Sequence, residues 1–354
     1  MASFFIEKAT ALLLNSTIIV YFPSIDALEA APAASVKGKI AFVDHGMKAT
    51  QDGSSYGYFG AARRQGPSIA SKKGAIAILI RSIGTDHHRV PHTGVQMWAD
   101  GATPIPAAAL SVPDAEQLAR VVKRGQPVKV HLTLTSKMLK DQPSGNVIAE
   151  IPGSDPDAGV VVAACHLDSW DQGTGAIDDA TGCGIAAASA LQVAKAGQPR
   201  RTIRVLMAGA EETGLWGSKA YSAAHIDEPI AVGLESDFGA DRIWRLETSF
   251  TRTDPDLFGQ LASSVQRFGV APAGGVATGG ADLNVVREQN GALIDLQQDG
   301  TRYFDLHHTA GDTLDKIDPA QMAQNVAAWT TVLQIMANHD GPIGPELAAA
   351  HEGG

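Results

Sequence analysis

Residues 160–182 read VVVAACHLDSWDQGTGAIDDATG, and the fold turns on how they are read. The first six are apolar with no polar alternate, the pattern of a strand covered on both faces of a sheet. The run stops at His166 and Asp168, and a Gly-rich turn then delivers Asp178-Asp179, with Asp178 twelve residues past the histidine. From Gly182 to Ala196 the chain is Ala-rich, which predicts a helix packed close behind that turn.

The same grammar continues toward the C-terminus. Apolar strands are expected over 146–151, 202–210, 230–236 and 292–297, with helices over 254–268 and from Asp318-Pro319 to about Asn338. The last opens on an Asp N-cap with Pro at the first helical position. This is the pattern of a three-layer α/β domain with a mixed, mostly parallel sheet, and such sheets build their sites at the carboxyl ends of the strands.

Upstream, short β runs over 39–44, 75–80, 106–111 and 128–136, with one helix over 113–123, predict a compact β-rich module. The linker 137–145 carries Pro143 and Gly145, so the expected division is 1–140, 141–342 and a flexible tail 343–354. The apolar start, residues 1–22, contains Glu7 and Lys8 and lacks a basic segment followed by a small-residue cleavage site, which supports a signal peptide poorly. There is no run of eighteen apolar residues, so no membrane span is expected. Asn15-Ser16-Thr17 fits a glycosylation sequon, a pattern common by chance.

Over 354 residues, 44% hydrophobic and 19% charged content excludes a disordered or fibrous chain. A net charge of −10 argues against a nucleic-acid binder. The charge is uneven: 16 basic against 10 acidic residues up to 145, then 12 against 28. Cys165 and Cys183 are too few for a disulfide framework and lack structural-zinc spacing; they read as small core residues, or as one buried disulfide if the chain is exported.

Histidines and carboxylates gather where the strands end. His166 and Asp168 follow one strand, Glu211-Glu212 a second and Asp237 a third, with Asp178-Asp179 and the HHTAGDT segment from His307 to Thr313 joining them. Buried carboxylates brought together repel and are costly to desolvate, so convergence implies cations between them. Imidazole and carboxylate donors without a thiolate set favour zinc, with manganese or cobalt suited by geometry, and two metals fit the count.

These residues resemble the co-catalytic zinc exopeptidases, the family of bacterial aminopeptidases and glutamate carboxypeptidases. The resemblance rests on His166-Leu-Asp168-Ser-Trp-Asp171, GAIDDATG at 175–182, Ala210-Glu211-Glu212-Thr-Gly-Leu215, Glu235-Ser-Asp237 and His308-Thr-Ala-Gly-Asp312-Thr313. HLDSWDQGTGAIDDATG, YFDLHHTAGDTLDKIDP and AILIRSIGTDHHRVPHTG are most similar to its carboxypeptidase Q branch, and the first half resembles the protease-associated domain of these peptidases. The resemblance implies that Asp178 bridges two zinc ions, that His166 and Asp237 hold one, and that Glu212 and His308 hold the other. His307 is the alternative to His308, but the HTxxDT pattern selects His308. Glu211 would act as general base on a metal-bridging water, and Asp168 would lie behind His166 as the carboxylate that fixes its tautomer. The implied reaction is hydrolysis of short peptides or dipeptides. Asp282, in GGADLN, either borders the site or makes a simple turn, and substrate-binding residues are not legible.

Other readings compete. Gly53-Ser-Ser55-Tyr-Gly57 fits a nucleophile elbow, but no strand directly precedes Ser55. Gly182-Cys-Gly184 imitates a dinucleotide loop, yet Asp178-Asp179 would repel a pyrophosphate. A non-catalytic receptor or scaffold, and a di-zinc hydrolase of a non-peptide amide, remain the rival functions. Relatives carry a further stretch before the inserted module, often with an export signal. A chain beginning here is therefore expected to have an uncovered sheet edge, with reduced stability or self-association into a homodimer.

Overall fold

The computed structural model describes residues 12–136 and 139–344. The start up to residue 11, Lys137-Met138 of the linker, the tail from 345 and the side chains of 12–16, Asn15 among them, lie outside the described residues. The chain forms two compact units, each with its own sheet.

The first unit comprises the chain up to Gln142 together with Trp170–Gly173 and Thr301–Asp312. Strand β1 (Leu12–Phe22) leads through helices α1 (Ile25–Ala30) and α2 (Ala33–Val36) to β2 (Ile40–Val43). Helices α3 (Ser55–Arg64) and α4 (Gly66–Lys72) precede β3 (Ala77–Arg81) and β4 (Ala107–Leu110), and α5 (Val112–Val122) precedes β5 (Lys129–Leu134). The sheet order is β4-β3-β2-β1-β5, parallel except where β5 runs against β1. The unit is richer in helix than its sequence suggests. The segments SYGYFGAARR and GPSIASK bury Gly, Ala, Ser and Pro rather than large apolar residues, so they carry a weak helical period. Ser55 opens α3 and its hydroxyl donates to the Lys48 carbonyl at 2.7 Å, a helix start and not a nucleophile elbow.

The second unit comprises Pro143–Ser169, Thr174–Gly300 and the chain from Thr313. Strands β6 (Val147–Ile151) and β7 (Val160–His166) are followed by a wide turn over Ala176–Ala180 and helix α6 (Thr181–Ala196). Then come β8 (Ile203–Ala208), α7 (Trp216–His225), β9 (Ile230–Glu235), β10 (Ile243–Thr248), α8 (Pro255–Val265), β11 (Ala271–Pro272), α9 (Asn284–Glu288) and β12 (Ala292–Gln298). After α10 (Tyr303–Leu306), which belongs to the first unit, α11 (Pro319–Asn338) closes the second, capped by the Asp318 carboxylate as expected. The sheet order is β11-β10-β12-β9-β7-β8-β6, with β7 parallel to both neighbours.

Strand alternation makes the three layers. Val161 and Ala163 of β7 face a core shared with Ile185 of α6, Leu261 of α8 and Trp329 of α11, whereas Val160, Val162 and Ala164 face Tyr221 of α7 and Val286 of α9. Every residue of β7 is therefore buried, as its apolar run requires. Strand β6 differs from expectation. Its apolar run predicts a buried strand, yet it lies at the sheet edge, paired only with β8 in the described sheet, with Val147 52% and Ile148 43% exposed. Hydropathy reports composition and not position in the sheet, so VIAEI reads like a central strand.

Candidate metal centre

Because β8, β7 and β9 are adjacent and parallel, their carboxyl ends open on one rim. That rim carries His166 at the end of β7, Glu211 and Glu212 past β8, and Asp237 past β9. His166 Nδ1 lies 2.9 Å from the Asp168 carbonyl, which only accepts, so the ring hydrogen sits on Nδ1. Nε2 then presents its lone pair to Asp178 Oδ1 at 3.0 Å and Asp237 Oδ1 at 3.3 Å. A lone pair aimed between two carboxylates is the arrangement a shared cation satisfies. Donor atoms of His166, Glu211 and Glu212, and of His166, Asp179 and Asp237, gather within 4.8 Å of one another. Burial works against a charged His166 ring, but with no cation present Asp237, Asp178 and Asp179 raise its pKa far above the ordinary value, so positive charge is favoured at the Nε2 position that a metal would take. The donor set fits zinc.

The two aspartates of the turn divide the work. Asp179 is buried, and its oxygens accept the His166 N–H at 3.1 Å and the Gly182 N–H at 3.2 Å, tying the end of β7 to the start of α6. Asp178 is left facing the His166 ring. Gly182 must be glycine here, because a Cβ would fall 1.9 Å from the Ser236 carbonyl beside β9.

Asp168 is placed differently from the expected carboxylate behind an imidazole. Its backbone carbonyl fixes the His166 tautomer, and its carboxylate lies 3.8 Å from the same nitrogen. The carboxylate instead accepts the Glu211 N–H at 2.8 Å and the Glu212 N–H at 3.2 Å. Ala210 adopts φ 57°, which turns the chain out of β8 into this segment. Burial first, and then the charge of Asp237, push the Glu211 carboxyl up to about 8.

Sequence reading names Glu235 only within the Glu235-Ser-Asp237 motif and gives it no role. It ends β9 two residues before Asp237 and accepts the Asp282 N–H at 2.8 Å, so Asp282 belongs to this acidic floor. Burial raises both carboxyls, Glu235 well above its usual range and Asp282 to about 6, the latter opposed by the Ser218 hydroxyl. The repeated acid-x-acid spacing of Glu235 and Asp237 was the available signal. Cys165 and Cys183 form a disulfide, the second of the two readings open from sequence, and it clamps β7 to α6 next to His166.

His308 lies in the first unit, with φ 60°. Its ring stacks on His307 at 3.5 Å between centroids and approaches Trp170 at 5.7 Å, and Nδ1 lies 3.1 Å from the Thr93 carbonyl.

A model of peptidase family M28 matches residues 146–333, and the chain belongs to that family. It is 34% identical to carboxypeptidase Q of mouse over 282 residues, covering 78% of this chain and 60% of that protein. The human carboxypeptidase Q is 33% identical over 280 residues, 78% of this chain and 59% of the relative. The chain thus spans about 60% of the length of these relatives. The solved Peptidase M28 precursor from Shewanella amazonensis matches with a TM-score of 0.88 at 40% identity, covering 93% of this chain and 75% of that one. A zinc aminopeptidase from Bacillus subtilis shares the fold, with a TM-score of 0.64 at 19% identity over 97% of this chain and 80% of its own. Among the described residues no helix is long and apolar enough to cross a membrane.

Proposed function

We propose that this chain is a di-zinc exopeptidase that hydrolyses short peptides or dipeptides, with Glu211 as general base. The observation that carries the reading is His166 Nε2 aimed at two carboxylates on a rim that also bears Glu211 and Glu212. His166 and Asp237 would hold one ion, Glu212 and His308 the other, and Asp178 both; manganese or cobalt suit the same donors. Bound there, the ions would acidify the attacking water and polarise the scissile carbonyl.

The remaining chemistry falls to the chain. Glu211 takes a proton from the water and returns it to the departing amine. Asp168 orients it through the Glu211 N–H. The relatives' names point to carboxypeptidase and aminopeptidase alike, so a panel of dipeptides blocked at one end or the other assigns the terminus that is read.

The deciding experiment pairs zinc analysis with dipeptide hydrolysis for wild type and Glu211→Ala. The expected result is two zinc ions in both proteins and a loss of activity of about 100-fold or more in the variant. A wild type that binds no zinc, or that binds it and cleaves no dipeptide, overturns the reading.

A further inference from the structure

The stretch AILIRSIGTDHHRVPHTG, residues 77–94, supplied part of the family resemblance, yet none of its residues enters the chemistry above. Within the first unit it runs out of β3 and lies along the segment that carries His308. The Thr85 N–H donates to the Phe304 carbonyl at 3.1 Å, and its hydroxyl donates to Asp305 at 2.6 Å. His92 Nδ1 reaches the His307 carbonyl at 2.8 Å. The Thr93 N–H donates to the His308 carbonyl at 3.0 Å, and the Thr93 carbonyl lies 3.1 Å from His308 Nδ1.

The His92 ring is held in turn. Its Nε2 lies 2.6 Å from Asp86 Oδ1, with the two side chains 1% and 2% exposed. Nδ1 faces a carbonyl, and Nε2 faces a carboxylate that also accepts the His88 N–H at 2.8 Å, so the ring is held at both nitrogens in a buried pair. Burial alone would raise the Asp86 pKa, but His92 and the His88 N–H hold it below the usual carboxylate range. The glycines of the stretch make room. A Cβ on Gly84 would fall 2.2 Å from His92 Nε2, and one on Gly94 would fall 2.4 Å from the Arg63 guanidinium, which itself donates to the Thr93 carbonyl at 3.1 Å.

His308 needs such support. His308 is a non-glycine residue with a left-handed backbone, which persists only where its surroundings impose it. His308 Nδ1 meets an acceptor, the Thr93 carbonyl at 3.1 Å, and a donor, Arg63 Nη1 at 3.5 Å; the shorter contact to the carbonyl sets the ring hydrogen on Nδ1 and the lone pair on Nε2. We propose that Asp86 and His92 are positioning residues for His308: the buried pair fixes the His307 carbonyl, the Thr93 backbone fixes the next carbonyl and the ring tautomer, and together they present His308 as a ligand. The role of His308 rests on the di-zinc reading above, whereas the bracket of hydrogen bonds is a property of the first unit alone.

The test uses Asp86→Asn and His92→Gln in the full chain, stripped of metal, melted, and then titrated with zinc against a competing chelator. The expected result is one zinc held as in wild type and the other weakened about 10- to 100-fold. Dipeptide hydrolysis lost at low zinc then returns when zinc is raised by the same factor, a rescue that a general packing defect would not show. Two wild-type affinities in folded variants overturn the proposal and leave the di-zinc reading standing. Equal weakening of both zincs with a lowered metal-free melting temperature also overturns it, by showing a structural role only. A wild type that takes up no zinc overturns the reading beneath it. Should His92→Gln fail to fold, Asp86→Asn, which keeps the side-chain shape, decides.

Discussion

The Asp168 carboxylate accepts the Glu211 N–H at 2.8 Å, so the proposed base is oriented through its backbone by a residue on the next strand end. The second oxygen takes the Glu212 N–H at 3.2 Å, and one side chain therefore sets both glutamates. Asp168→Asn keeps the shape but leaves an NH2 group against one of those N–H donors. A charge-assisted hydrogen bond of about 1.5–3 kcal/mol is lost. Hydrolysis is expected to fall about 10- to 100-fold in kcat with the zinc content retained, as read by steady-state kinetics and metal analysis. A variant that keeps full kcat would show that Asp168 does not set the base.

Zinc removal should destabilise the second unit, because the rim then holds His166 among carboxylates with no cation between them. Each site filled at a hundred times its dissociation constant adds about 2.7 kcal/mol. Melting curves in chelator and in graded zinc should therefore shift upward with zinc, and His166→Asn should flatten that dependence. A melting temperature indifferent to zinc would contradict it.

Acid stability should reflect the buried Arg204. Its guanidinium donates to Glu228 at 2.6 Å and 2.8 Å, and this hydrogen bonding, against some opposing burial, holds the Glu228 pKa below its ordinary 4.5, with His225 adding to the effect. A lowered folded pKa means stability that is present above the unfolded value and lost as the pH falls through the folded one. Glu228→Gln should be less stable than wild type at neutral pH, and the gap should close as the pH drops below 4.5. Urea unfolding at several pH values measures this, and a gap independent of pH would exclude the pair as its source.

The Cys165–Cys183 disulfide closes a short loop, with 18 residues of sequence separation. Loop-closure entropy for that length is about 3 kcal/mol. Cys183→Ser should lose stability of that order in denaturant titration. It should also weaken zinc retention, because the bridge clamps the strand end that carries His166. Unchanged unfolding would mean that the clamp contributes nothing in solution.

The second unit was more legible than the first. Fully apolar runs such as VVVAACH announce central strands, and Asp318-Pro319 marks a helix start with residue accuracy. Edge position leaves no such trace, which is why β6 was misplaced. Helices α3 and α4 are not legible because their buried faces carry small residues and Arg63 in place of large apolar ones. At the rim, residue types after strand ends were readable, but partners were not: nothing in the spacing tells that the Asp168 carbonyl serves the imidazole while its carboxylate serves two amides. The role of Glu235 is not legible because a glutamate at the end of an apolar strand reads as an interruption, whereas its carboxylate accepts the backbone N–H of Asp282, 47 residues further on.

The central ladder position of β7 has a kinetic side. Its amides are shared between β8 and β9 and shielded on both faces, so their hydrogens should exchange only when the whole sheet opens, whereas those of β6 should exchange by local fraying. The strand that ends in His166 is thus expected to be a slow clock of the second unit, and the imidazole proposed as a zinc ligand hangs from a segment that should open only with its sheet.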